Sequence, residues 1–362
     1  MILTLIIAFL SLIALMIIHE FGHFVIAKKF GVKVEEFGIF YPPKIAGVKF
    51  GETVYSINLI PLGAFVRIYG EEGGVDDYRS FAALAIWKRI LIVLGGVLAF
   101  WVASCIIFSV VFGIGANVPV GDQDVAGVNG TMVTIIDVQP NSPAAAAGLR
   151  AGDELLGFHK IADFQNLVQA NKGKEITLTV TRKGKEITAT MTPRATYPAG
   201  QGPTGISLER FANIIKKYPW YQAPLQGIVY TGQVTVGELT SIYGFFASLI
   251  GGHGVPAGAE LAGPVGITLF LSRAADYGLG FFLYFIGSLS VLLAIFNLLP
   301  IPALDGGKLL FLIIEKAMKK PVPVNWEQGL TIFCFVTLIA LSLFITVKFD
   351  FPRVVEFWKA GL

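Results

Sequence analysis

Residues 2–27 read ILTLIIAFLSLIALMIIHEFGHFVIA, an apolar run interrupted near its end by His19, Glu20 and His23. A helix that crosses a bilayer needs about 20 predominantly apolar residues, and this run supplies them. Three further stretches do the same, at 90–114, 279–299 and 329–347. The composition agrees. Of 362 residues, 54% are hydrophobic and 15% charged, against roughly 25% charged in an average soluble domain. The mean hydropathy is +0.68, which excludes an ordinary water-surrounded enzyme. The expected architecture is a multi-pass α-helical membrane protein with four transmembrane helices. A net charge of +3 gives no reason to expect nucleic acid as a partner. Cys105 and Cys334 lie inside apolar runs and make no disulfide framework.

Charge sets the expected orientation. No basic segment precedes the first run, and Lys28-Lys29 follow it, so it reads as an uncleaved span and not a signal peptide. Lys28, Lys29, Lys33, Lys44, Lys49, Arg67 and Arg79 fill the loop after span one. Lys308, Lys316, Lys319 and Lys320 fill the loop after span three. The positive-inside rule assigns both loops to the cytoplasm. Both termini and the long segment between spans two and three then face outward.

That outward segment contains a polar module at 120–197. A strand pattern at 131–138 leads through Asn141-Ser142-Pro143 into AAAAGLRAGDELLGF, a short helix at 163–170, and a hairpin around Lys183-Gly184-Lys185. The string resembles a bacterial PDZ domain. Residues 198–278 are harder to read. The stretch 224–250 is apolar but broken by Gln226, Gln233 and Glu238, and is expected to lie in the membrane interface, the alternative being a fifth span that would reverse everything after it. The expected partition is therefore 1–27 as the first span, 28–87 as a cytoplasmic-side loop and 88–115 as the second span. The module at 120–197 and a membrane-surface segment at 198–278 follow. The third span, at 279–305, ends in an Asp-Gly motif, and the fourth occupies 329–348.

The chemistry lies in His19-Glu20-Phe21-Gly22-His23. Ionisable groups at membrane depth are costly and are functional by default. Residues four apart share a helix face, so His19 and His23 are able to hold one metal ion with Glu20 beside its open position. This donor set suits zinc, with water retained as a fourth ligand. A third protein ligand is required. His159 belongs to the outward module, His253 to an outward Gly-rich loop, and Asp350 follows the last span on the wrong side. Asp305 ends the run NLLPIPALDGG at 297–307, directly after span three. At about 1.5 Å rise per residue His19 lies about 25 Å from Ile2, near the cytoplasmic end of its span, and span three runs in the same direction, so its end is expected to bring Asp305 to that level. Pro300 and Pro302 break the helix just before Asp305, which allows irregular backbone to reach a buried site.

Taken together, the intramembrane HEFGH, the PDZ-like module and the late NLLPIPALDGG resemble the site-2 protease family, above all its bacterial intramembrane zinc metalloproteases. The resemblance implies zinc bound by His19, His23 and Asp305, with Glu20 as general base for attack by zinc-activated water. It implies that Asn297 helps hold the substrate strand, with Pro300, Pro302 and Gly63 as further substrate-contacting positions. It also implies a membrane-associated β-hairpin within YSINLIPLGAFVRIYGEE at 55–72, whose edge receives unwound substrate, and a family element in LAGPVGI at 261–267. The implied substrates are transmembrane segments of single-span proteins, such as anti-sigma factors or signal-peptide remnants, already cut once elsewhere. The implied location is the bacterial cytoplasmic (inner) membrane. Some positions depart from the family pattern. Gly96-Val97-Leu98-Ala99-Phe100 stands where members often show Gly-Pro-x-x-Asn, Leu292 stands for an asparagine, and Gly63-Ala64 for paired glycines. A further departure is Gly38-Ile39-Phe40-Tyr41-Pro42.

Two other readings compete. A catalytically inactive membrane adaptor would use the PDZ-like module to bind a partner, but Glu20 would then have no use. A metal-dependent transporter is disfavoured by four spans without a visible inverted repeat.

Overall fold

The architecture comes from a computed structural model. It describes every residue except 1, 72–76, 116, 120–130, 183, 198–201, 214–217, 253–261, 277, 321 and 356–362. Glu72, Lys183, His253, Leu261 and the first part of the module at 120–197 therefore lie outside the described residues.

In chain order the elements are α1 (Ile2–Lys29), β1 (Val34–Phe50), β2 (Thr53–Ile68), α2 (Ile86–Ile114), β3 (Asn117–Pro119) and β4 (Thr131–Val138). Next come α3 (Pro143–Ala146), β5 (Glu154–Leu155), α4 (Ile161–Ala170), β6 (Ile176–Arg182), β7 (Lys185–Met191) and β8 (Ile206–Asn213). The last are α5 (Ala223–Ile250), α6 (Pro264–Asp276), α7 (Leu279–Asn297), α8 (Asp305–Met318), α9 (Val324–Ile345) and a π-helical turn at Thr346–Asp350. They form two compact units. One comprises Met1–Val110, Tyr221–Arg273 and Phe285–Leu362; the other comprises Val111–Trp220 and Ala274–Tyr284.

Among the described residues, four helices are long and apolar enough to cross a membrane: Leu3–Lys29, Ile86–Ile114, Leu279–Asn297 and Val324–Val355. α9 has no buried residue, as suits a helix that is apolar all round and solvated by lipid. The third span is shorter than expected. It stops at Asn297, and Asp305 opens the separate helix α8, because Pro300 and Pro302 cannot continue a helix. The stretch at 224–250 is one unbroken helix, α5, and it is not among the four. Its first turns pack on α2, where Thr231 Oγ1 lies 3.4 Å from Ser104 Oγ.

The sheet in the first unit begins well before residue 55. β1 and β2 are long and fold back on themselves. Residues 44–50 pair with 53–58 (Phe50↔Thr53, Lys44↔Asn58), whereas 34–41 lie between 54–60 and 64–68 (Phe37↔Tyr55 and Phe37↔Val66). One sheet edge is therefore 44–50 and the other is 64–68. Gly63 has φ +125°, a conformation that side chains disfavour, and it lies where the chain turns into the 64–68 edge.

The GPVG string at 263–266 surrounds a buried acid. Asp350 is fully buried, and its Oδ1 accepts the Gly263 N–H at 3.1 Å. A Cβ at Gly266 would come within 2.4 Å of the same oxygen. Asp350 thus joins the end of α9 to the start of α6. Asp350→Ala would leave a buried N–H unpaired, so the expected loss is about 1–3 kcal/mol of stability, read as a lowered melting temperature in detergent. An unchanged melting temperature would remove this anchor.

The second unit holds a six-stranded sheet in the order β3-β8-β4-β5-β6-β7. Its core contains Val133, Ile135, Leu155, Phe164, Leu178 and Val180. Alternation along β6 turns Ile176, Leu178 and Val180 inward, the two-residue period of a half-buried strand. Ser142 caps α3 by accepting the Ala145 N–H at 3.1 Å, and Pro143 opens that helix. Asp153, fully buried, accepts from Arg182 Nε at 2.6 Å and Nη2 at 2.7 Å. The boundaries at 120 and 197 need correction. β8, from the segment expected at the membrane surface, pairs with β4 (Thr131↔Ala212, Val138↔Ile206) and with β3. The module thus takes in 117–119 and 206–213. Gly202-Pro203 and the turn residues around them separate β8 from the rest of the module in sequence, which hides its membership.

Candidate metal centre

α1 carries His19 and His23 one turn apart on one face, and both are buried. Their Nε2 atoms are 3.3 Å apart. Asp305 Oδ2 lies 3.4 Å from His19 Nε2 and 3.2 Å from His23 Nε2. Among the described residues, these three form the group able to hold a metal ion, with ligand atoms all within 4.8 Å of one another.

The spacing permits a direct test of fit. Zinc binds imidazole nitrogen and carboxylate oxygen at about 2.0–2.2 Å in a tetrahedron, which sets ligand atoms about 3.3 Å apart. The three observed separations bracket that value. Asp305 Oδ2 is buried without a hydrogen bond, so its lone pairs face the two imidazoles with no proton donor assigned to it. His23 is oriented by a bond from its Nδ1 to the Ile92 carbonyl at 2.9 Å, the outer support typical of a ligating histidine. The residues present fit zinc.

Close helix approach creates the space. A Cβ at Gly22 would fall 2.2 Å from the Gly95 carbonyl oxygen, and one at Gly96 would fall 2.2 Å from His23 Nε2. α1 and α2 therefore meet through glycine, and Gly96 leaves the volume that the imidazoles occupy. Asp305 is delivered by a second tight fit. A Cβ at Gly306 would strike the Leu299 carbonyl at 2.2 Å, and one at Gly307 the Ile301 carbonyl at 2.3 Å. The irregular stretch 298–304 is folded directly onto the first turn of α8.

Glu20 lies next to His19, and its Oε2 accepts the Val66 N–H at 3.0 Å. Val66 belongs to the 64–68 edge, so the carboxylate and the sheet edge are in contact. Ion pairs join the surrounding elements. Lys308 on α8 meets Glu71 at 2.5 Å, and Arg89 on α2 meets Glu315 at 2.5 Å. Lys28 and Arg79 both meet Glu52 in the β1–β2 turn and hold its carboxyl below the usual range.

The other candidates are placed as follows. Asn297 ends α7, and its Nδ2 donates to the Leu293 carbonyl at 2.9 Å. The Pro302 carbonyl accepts from Thr331 Oγ1 on α9 at 3.1 Å, and Pro300 lies in the same irregular stretch. His159 Nδ1 lies 3.2 Å from the Thr131 carbonyl within the module. Asp350 is committed to Gly263. Sequence reasoning singled out Gly96 and Phe100 only as part of a departure from the family pattern and gave neither a place beside the histidines. The Phe100 ring stacks on His19 with centroids 4.7 Å apart. Paired glycines inside an apolar run were the available signal for the first.

Residues 7–341 match Peptidase family M50. A putative zinc metalloprotease of Clostridium perfringens is 33% identical over 348 residues, covering 94% of this chain and 96% of that protein. A putative zinc metalloprotease of Clostridium acetobutylicum is 30% identical over 350 residues, covering 95% and 96%. The zinc metalloprotease RasP of Geobacillus kaustophilus is 28% identical over 427 residues, covering 92% and 94%. With four apolar helices long enough to span a membrane, the chain is an integral membrane zinc metalloprotease and belongs to Peptidase family M50, the site-2 proteases.

Proposed function

We propose that this enzyme cleaves transmembrane segments of single-span membrane proteins within the bilayer, after a first cut made elsewhere. The observation that carries the reading is the contact between a spanning-helix carboxylate and a strand edge, Glu20 Oε2 to Val66 N–H at 3.0 Å. His19, His23 and Asp305 are the proposed zinc ligands, and Glu20 is the proposed base. When bound, zinc supplies a Lewis acid that polarises the scissile carbonyl and lowers the pKa of water. Glu20 takes a proton from that water and passes it to the leaving amine.

A helical substrate hides its amides in hydrogen bonds and must unwind before it is cut. Strand addition satisfies the freed backbone groups. The 64–68 edge is the proposed receiver, because it touches Glu20. Gly63 shapes the turn into that edge, and Asn297 with the 298–304 stretch borders the ligand Asp305. The Asn297 bond to Leu293 engages one Nδ2 hydrogen and leaves its Oδ1 and second N–H for a substrate. Cleavage of a labelled single-span peptide in lipid tests the reading. Cutting inside the apolar segment is expected, and cutting confined to the soluble flanks would refute it.

The orientation is proposed from charge, with both basic loops in the cytoplasm and the module outside, in a bacterial inner membrane. A cysteine at Lys319 should react with an impermeant reagent only from inside. Labelling from outside would invert the spans.

The outward module is proposed to be PDZ-like and to exclude substrates with bulky outer domains. Since β3 and β8 belong to its sheet, the deletion that removes it runs from 117 to 213. Replacing that stretch with a flexible linker should increase cleavage of untrimmed substrates and leave trimmed ones unaffected. A folded, zinc-loaded deletion variant that still ignores untrimmed substrates would move exclusion elsewhere.

A further inference from the structure

The two histidines of the metal centre are held in different ways. His23 is oriented conventionally, by its Nδ1 bond to the Ile92 carbonyl at 2.9 Å. His19 Nδ1 is buried and makes no hydrogen bond comparable to that of His23, the Gly96 backbone offering the ring only a weaker polar contact. An imidazole without such a bond is free to rotate about its Cβ–Cγ bond unless packing prevents it. A ligating ring must keep its nitrogen aimed at the metal, and outer contacts usually supply that constraint.

We propose that Phe100 is the positioning residue for His19 and fixes by stacking what a hydrogen bond fixes for His23. The rings are nearly parallel, with an interplanar angle of 20° and centroids 4.7 Å apart. His23 meets His19 edge-on at 87°, also 4.7 Å away. His19 is thereby held between a flat wall and a perpendicular one. Phe100 is itself enclosed. Its side chain is fully buried, and its carbonyl accepts from Ser290 Oγ of α7 at 2.8 Å. It follows Gly96 by one helical turn, so a single face of α2 supplies both the space for the imidazoles and the wall that orients one of them.

The proposal rests on His19 being a zinc ligand, and the test separates the two ideas. Zinc affinity is measured by chelator competition on purified full-length protein for Phe100→Leu, Phe100→Met, Phe108→Leu and His19→Ala. Phe100→Met retains volume with an adaptable side chain and guards against misfolding of the leucine variant. Phe108 is equally buried on the same helix and packs on Tyr230 at 4.9 Å, so its variant controls for loss of core packing. The visible bands of the cobalt-substituted protein report ligand geometry independently of activity.

Both Phe100 variants should bind zinc about 10–100-fold more weakly and show altered cobalt bands. Phe108→Leu should lower the melting temperature and change neither readout. Wild-type affinity in Phe100→Met would overturn the proposal, and so would an equal loss in Phe108→Leu. If His19→Ala also retains full zinc affinity, the ligand assignment itself fails. If only His19→Ala loses zinc, the assignment stands and the stacking role is wrong.

Discussion

Glu20→Gln is expected to abolish cleavage while leaving zinc in place. The substitution preserves size and leaves His19, His23 and Asp305 untouched, so the three donors still converge within 4.8 Å. An amide is no proton acceptor at neutral pH, and losing a general base costs about 10²–10⁴-fold in rate. The amide oxygen still accepts from Val66, so the contact with the sheet edge at 3.0 Å survives in kind. Cleavage rate and zinc content, measured on the same preparation, separate chemistry from structure. A variant that cuts at near the wild-type rate would show that another group activates water.

Asp305→Ala is expected to fail at an earlier stage, by losing the metal. Two imidazoles 3.3 Å apart hold a cation poorly without the carboxylate that completes the set and offsets its charge. Outer supports alone are worth 10–100-fold in metal affinity, so removing a direct donor should cost more than about 100-fold. Zinc per protein after dialysis is the readout. Full retention in Asp305→Ala would dismiss it as a ligand, whatever happened to activity. The same measurement on His23→Ala should show a comparable loss.

The parts of this account legible in the sequence are those where chemistry contradicts its surroundings. His19, Glu20 and His23 stand out because an apolar span has no other reason to hold them. Asp305 is legible from its place just after a span that runs in the same direction as the one holding His19, beyond prolines that break the helix. The four spans follow from length and apolarity. The rest depends on contacts that no local pattern encodes. β8 pairs with β4 across about 70 residues of chain and follows closely on Gly202-Pro203, so its membership in the module is a long-range fact. The extent of β1 is obscured by Pro42-Pro43 and by Lys44 and Lys49, which suggest a loop when read singly. Gly96 is one glycine among the 41 in the chain, and its importance is visible only once His23 Nε2 is found 2.2 Å from where its Cβ would be. Phe100 reads as one more apolar residue until its ring is seen against His19.

Hydrolysis inside the membrane is expected to depend on zinc held by His19, His23 and Asp305. The most direct test uses wild-type protein in lipid with a labelled transmembrane peptide, before and after stripping with a chelator, and again after zinc is restored. Cleavage within the apolar segment should stop on stripping and return with stoichiometric zinc. Cleavage that continues at an undiminished rate in metal-free protein would contradict the account at its centre.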